Sequence, residues 1–193
     1  MKKKENPENF LPKQTTELSK KSLPTSKVLL YFVLRFAVLF LFFEACYFND
    51  YLYNHIFLPV NNLFANVGSK LLTLIGIPAK SNGDTIANAT FSISVKQGCD
   101  SLEALAIFIC GVLAFPSKLT IKLYGLLFGS FIILFMNLIR LVHLFWVGLY
   151  HHDLFDLFHL EIWQGFFIIL SIVLWLLWVL KAVKPSKLHG HDQ

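Results

Sequence analysis

Charge is scarce in this chain: only 15% of its 193 residues are Asp, Glu, Lys or Arg. Soluble domains carry about 25%, so an ordinary water-facing surface cannot be built from this sequence. Three cysteines, Cys46, Cys99 and Cys110, are too few and odd in number for a disulfide framework. At least one thiol is therefore free. The basic N-terminal stretch has no apolar core, and no small-residue cleavage pattern follows the first apolar run, so no signal peptide is expected. The HExxH spacing of zinc peptidases is absent as well.

What the chain has instead is apolar and aromatic. It is 55% hydrophobic and contains 20 Phe, with a mean hydropathy of +0.59. That is the composition of a polytopic membrane protein. A net charge of +5 would suggest nucleic acid as the partner of a soluble protein. Here the lysines gather at the two ends and in one short turn, where they set membrane orientation instead.

Residues 1–27 carry Lys2, Lys3, Lys4, Lys13, Lys20, Lys21 and Lys27 with Pro7, Pro12 and Pro24. They read as a disordered basic cytoplasmic tail. Residues 28–48 are long enough for a first span, and Arg35 and Glu44 near its ends snorkel or pair inside the bundle. Residues 49–78 place apolar side chains near helical spacing but interrupt them with Asn61, Asn62, Asn66, Ser69 and Lys70. This pattern predicts an interfacial amphipathic helix. A turn at 81–84 and the alternation of Phe91, Ile93 and Val95 with polar residues predict a small extracytoplasmic β element.

A second span begun near Gln97 and ending at Phe115 would measure roughly 28 Å. Asp100 and Glu103 have the spacing of a capping pair at its head. A basic turn follows at 116–122, then a long helix at 123–150, a loop rich in His and Asp at 151–161, a last span at 162–180 and a cytoplasmic tail at 184–193. The expected fold is thus an all-α transmembrane bundle of about four spans, occupying residues 28–183, with the amphipathic helix and the β element outside. The basic tails and the Lys118/Lys122 turn belong in the cytoplasm, so both termini are inside.

This topology brings three chemistry-bearing residues to the outer side. Cys99 heads the second span, where a helix N-terminus favours the thiolate. Arg140 lies roughly 12 Å inside the outer end of the third span. His159 opens the fourth. Asn137 is three residues before Arg140 and shares its face. His143, three residues beyond Arg140, is a rival base. Amide cleavage needs a nucleophile, a proton carrier and a group to hold the oxyanion. Cys99, His159 and Arg140 supply these types without metal or cofactor. An Arg at membrane depth costs about 2.5 kcal/mol or more on insertion scales, so it calls for a polar use.

The ordered motifs are Cys99 at a helix head, Asn137-Leu138-Ile139-Arg140 as Asn-x-x-Arg, and His159 followed by Gly165 and Phe166-Phe167. By these the chain resembles the exosortase/archaeosortase family of membrane-embedded cysteine transpeptidases, across about residues 28–183. One departure is Asp100-Ser101 where the family commonly has Ser-Gly after the cysteine. The resemblance implies a multi-pass protein of a prokaryotic inner membrane whose active site faces outward. It implies cleavage of a C-terminal sorting signal on exported proteins: a short motif, one transmembrane helix and a basic tail. The new carboxyl end would pass to a surface glycan or lipid anchor. Two other functions fit the residues. One is a metal-dependent membrane hydrolase using His151, His152, Asp153, Asp156 and His159. The other is a non-enzymatic assembly or transport subunit in which Arg140 and Glu44 form a buried pair.

Overall fold

The computed structural model describes residues 25–183. The tails expected at 1–27 and 184–193 lie outside the described residues, except that Thr25 already opens the first helix, α1 (Thr25–Tyr47). Among the described residues three helical stretches are long and apolar enough to cross a membrane: Lys27–Tyr47, Leu119–Tyr150 and His152–Val183. Helices are the economical solution for such sequence, because every backbone N–H and C=O is satisfied within the segment.

A fourth apolar helix, α4 (Leu102–Ala114), has only 13 residues, or about 20 Å. It packs against α1, α5 (Leu119–Tyr150) and α6 (Trp163–Val183). Small residues let these neighbours approach closely. A Cβ on Gly111 would come within 2.8 Å of Trp175 Cδ1, and one on Gly129 would overlap the Phe108 ring. The helix expected from Gln97 therefore begins five residues later. Gly98 and Ser101 both have left-handed backbone, with φ of 82° and 60°, and such residues cannot continue a right-handed helix.

Between α1 and α4 the chain builds a polar cap. A helical turn, α2 (Asp50–Leu52), is capped by the Asn49 side chain. A π-helical segment, Tyr53–Phe57, leads into α3 (Leu58–Leu74). The polar residues that interrupt the apolar pattern here are not all solvent-facing. Asn61 and Ser69 point inward with Phe64, Ala65 and Leu72, while Leu74 is 82% exposed. The β element is a three-stranded antiparallel sheet of β1 (Lys80–Asn82), β2 (Thr85–Ala87) and β3 (Ser92–Ser94), in sequence order. Ile86, Ile93 and Val95 join α3 and Leu141, Leu144 and Phe145 of α5 in one core, to which Cys99 also belongs. A second core lies among α4, α5 and α6.

The expected loop at 151–161 is mostly helical. It holds a 3-10 turn, His152–Leu154, and a π-helical segment, Leu157–Ile162, that runs directly into α6. Its His and Asp residues gave it the composition of a loop, but its apolar residues Phe155 and Phe158 pack on the cap core and hold it to the bundle.

Candidate active site

Cys99 sits in the turn between β3 and α4. Its backbone N–H donates to Lys96 O at 2.8 Å, and the residue is only 4% exposed. It precedes the first turn of α4 rather than occupying it, so the expected pull of a helix N-terminus toward the thiolate does not describe this site. Burial pushes the thiol up; the Arg140 charge draws it down, and Asp100 pushes it up further.

Arg140 is 2% exposed yet lies in the apolar helix α5. One of its terminal nitrogens, Nη2, donates to Gly98 O at 3.4 Å and to His159 O at 3.3 Å. Its guanidinium carbon stands 5.6 Å from the centroid of the Phe167 ring, and its Nε has no partner. The same cation thus touches the peptide just before Cys99 and the backbone of His159. Its partners are carbonyls rather than Glu44, which lies near Glu103.

His159 is half-buried in the π-helical segment, and its ring lies 5.3 Å from that of Phe155. Its carbonyl, not its imidazole, makes the bond to Arg140. Asn137 is fully buried one turn before Arg140, and both of its amide atoms lack a partner. His143 is occupied elsewhere. Trp163 Nε1 donates to its Nδ1 at 3.1 Å, and Phe158 packs edge-on against it at 5.0 Å.

The spacing of Asp100 and Glu103 predicts a helix cap at Asp100. It does accept the Leu102 N–H, on Oδ1 at 3.1 Å. It is also fully buried, and Oδ2 accepts from Tyr47 Oη at 2.8 Å and from Asn61 Nδ2 at 3.2 Å. Burial pushes this carboxyl up, while the Tyr47, Leu102 and Asn61 donors pull it back. A cavity of about 110 Å³ has Gly98, Asp100, Ser101, Glu103, Arg140 and Gln164 on its polar side. It therefore flanks Cys99 in the chain on both sides. Among the described residues no three His, Cys, Asp or Glu side chains gather so as to hold a metal ion. His151, His152, Asp153 and Asp156 are exposed.

Fold and site together define a helical membrane protein with a thiol and a guanidinium buried beneath a polar cap. Residues 27–179 match the family described as transmembrane exosortase (Exosortase_EpsH), and the chain belongs to that family. Membership makes it a cysteine-type transpeptidase that processes sorting signals on exported proteins. No curated protein and no solved structure matches the chain.

Proposed function

We propose that Cys99, Arg140 and His159 carry out this reaction on the outer face of the membrane. The Cys99 thiolate attacks the scissile carbonyl, forming a C–S bond as the amide C–N bond breaks. His159 gives a proton to the leaving amine and takes one from the incoming nucleophile. Arg140 stabilises the charge that develops on sulfur and then on oxygen; Asn137 shares its face of α5 but makes no hydrogen bond to it. The observation that carries the reading is the pair of bonds from Arg140 Nη2 to Gly98 O and His159 O. They tie the nucleophile's turn and the base's segment to one cation.

In this reading α4 is the second of four crossings, and both termini are cytoplasmic. Its shortness is compatible with crossing because α1, α5 and α6 surround it, so lipid thickness does not set its length. Lys122 Nζ donates to Leu113 O at 2.8 Å, closing the basic end of α4. The cap, with α3 at the membrane surface, then faces outward. The substrates are exported proteins ending in a short motif, a transmembrane helix and a basic tail. Their new carboxyl ends pass to a surface glycan or lipid anchor.

Depleting the protein from its host should leave such exported proteins with intact C-termini, read by mass spectrometry of the membrane and surface fractions. Unchanged processing in depleted cells would refute the assignment. The base assignment has its own test. His159→Ala should reduce processing by about 10²-fold or more. His143→Ala, whose ring is held by Trp163, should stay within about tenfold of the wild type. The reverse order would move the base to His143.

A further inference from the structure

We propose that Asp100 is a positioning residue of this site: it clamps the Cys99 turn to α1 and α3 and is the standing counter-charge of Arg140. The inference rests on the catalytic reading above and adds to it a group that the reaction scheme does not use.

The clamp is visible in where the donors come from. Tyr47 closes α1, Asn61 lies in α3, and Leu102 opens α4, yet all three donate to one carboxylate. The turn is tied to α1 a second time, since Gln97 Nε2 donates to Tyr47 O at 3.1 Å. Tyr47 is itself fully buried and held edge-on by Phe57 at 5.2 Å. Asn61 Nδ2 also reaches Tyr53 Oη at 3.2 Å. Cys99 is therefore adjacent in the chain to a side chain that ties α1, α3 and α4 together.

The nature of these partners calls for a counter-charge. Hydroxyl, amide and backbone N–H groups all present hydrogens to Asp100, which suits its ionised form. None of them carries charge. A buried carboxylate with neutral partners alone is expensive, and the cation on the wall of the same cavity is Arg140. Among the described residues Arg140 in turn donates hydrogen bonds only to carbonyl oxygens, with Nε unpaired. Each charge is hydrogen-bonded to neutral groups and balanced across the cavity by the other. With Cys99 protonated, Asp100 and Arg140 offset each other, and Glu103 is the other acid on the cavity wall. Forming the thiolate makes sulfur and Asp100 share one guanidinium. The titratable groups around the turn are Tyr47 of α1, Tyr53 of the π-helical segment, Glu103 of α4 and Arg140 of α5, which also holds the His159 backbone carbonyl.

The test uses the full chain in lipid nanodiscs with Cys46→Ala and Cys110→Ala. The rate at which methyl methanethiosulfonate converts Cys99 to its methyl disulfide, releasing methanesulfinate, is measured against pH. Asp100→Asn removes a negative charge beside the thiol, so the midpoint should fall by about one pH unit. Asp100→Glu keeps the charge, and its midpoint should stay near the parent's. A carboxylate that only braces the fold would change the rate at every pH and leave the midpoint of Asp100→Asn in place; that result overturns the proposal.

Asp100→Asn could itself fail to fold, so thermal stability supplies a second reading. The double variant Asp100→Asn/Arg140→Gln, neutral on both sides, should be more stable than either single variant. Losses that simply add would overturn the counter-charge. Neither readout needs turnover. A failure of Cys99 as the nucleophile would instead appear as processing that survives Cys99→Ala.

Discussion

Cys99→Ala and Cys99→Ser should abolish processing of exported substrates, a loss on the order of 10³-fold or more. Insertion and expression should persist. Alanine deletes one sulfur from a core that Phe64, Leu72, Ile86 and Leu144 also build. The resulting destabilisation is about 1 kcal/mol, too small to unfold a bundle. Serine keeps the shape, but its hydroxyl ionises far less readily than a thiol, and Arg140 alone cannot close that gap. Cys110 is buried within α4, and Cys46 lies half-buried near the end of α1. Cys46→Ala and Cys110→Ala should leave processing near the wild-type level. Immunoblotting for uncleaved substrate alongside membrane-fraction abundance separates lost chemistry from lost protein.

Arg140→Lys should fail nearly as badly as Arg140→Ala, by about 10²–10³-fold in processing. One guanidinium nitrogen spans the Gly98 and His159 carbonyls, and the planar group also stacks near Phe167. This leaves Nε and Nη1 to address a developing oxyanion. Lysine would bring the charge on a single compact ammonium. That group cannot hold both carbonyls and still reach the reacting atoms. Its placement would also be looser, because the stacking plane is gone. Thermal unfolding of the two variants provides the control. If Arg140→Lys retained processing within about tenfold of the wild type, charge alone would suffice and the fork geometry would be irrelevant.

The long helices were legible because lipid imposes a simple rule on apolar runs, and the three longest obey it. The alternation of Phe91, Ile93 and Val95 was legible for a similar reason, with Ile93 and Val95 turned into the cap core. The Cys99, Asn137 and Arg140 motifs carried the family. The region around Cys99 was harder, because its structure is set by partners distant in sequence. An Asp just before a helical run looks like a cap, and Asp100 does accept one helix N–H. Nothing nearby announces that Tyr47 and Asn61 will bury it. Ser101 has φ of 60°, a conformation that favours glycine. The Ser-Gly to Asp-Ser departure therefore falls where the backbone turns left-handed. His143 met the spacing of a base on the Arg140 face, but Trp163, which occupies its Nδ1, is 20 residues away. Composition also misled at 151–161, where polar residues decorate helical turns rather than a loop.

The central claim is that Cys99 carries the cleaved substrate as a thioester. Acid quenching of the protein during turnover of an exported protein bearing the sorting signal, followed by peptide mass spectrometry, tests it most directly. The account predicts that the Cys99 peptide gains the mass of the substrate peptide that ends at the cleaved carbonyl, and that neutral hydroxylamine releases it. Cleaved substrate accumulating while the Cys99 peptide stays unmodified, with cleavage persisting in Cys99→Ala, would contradict it.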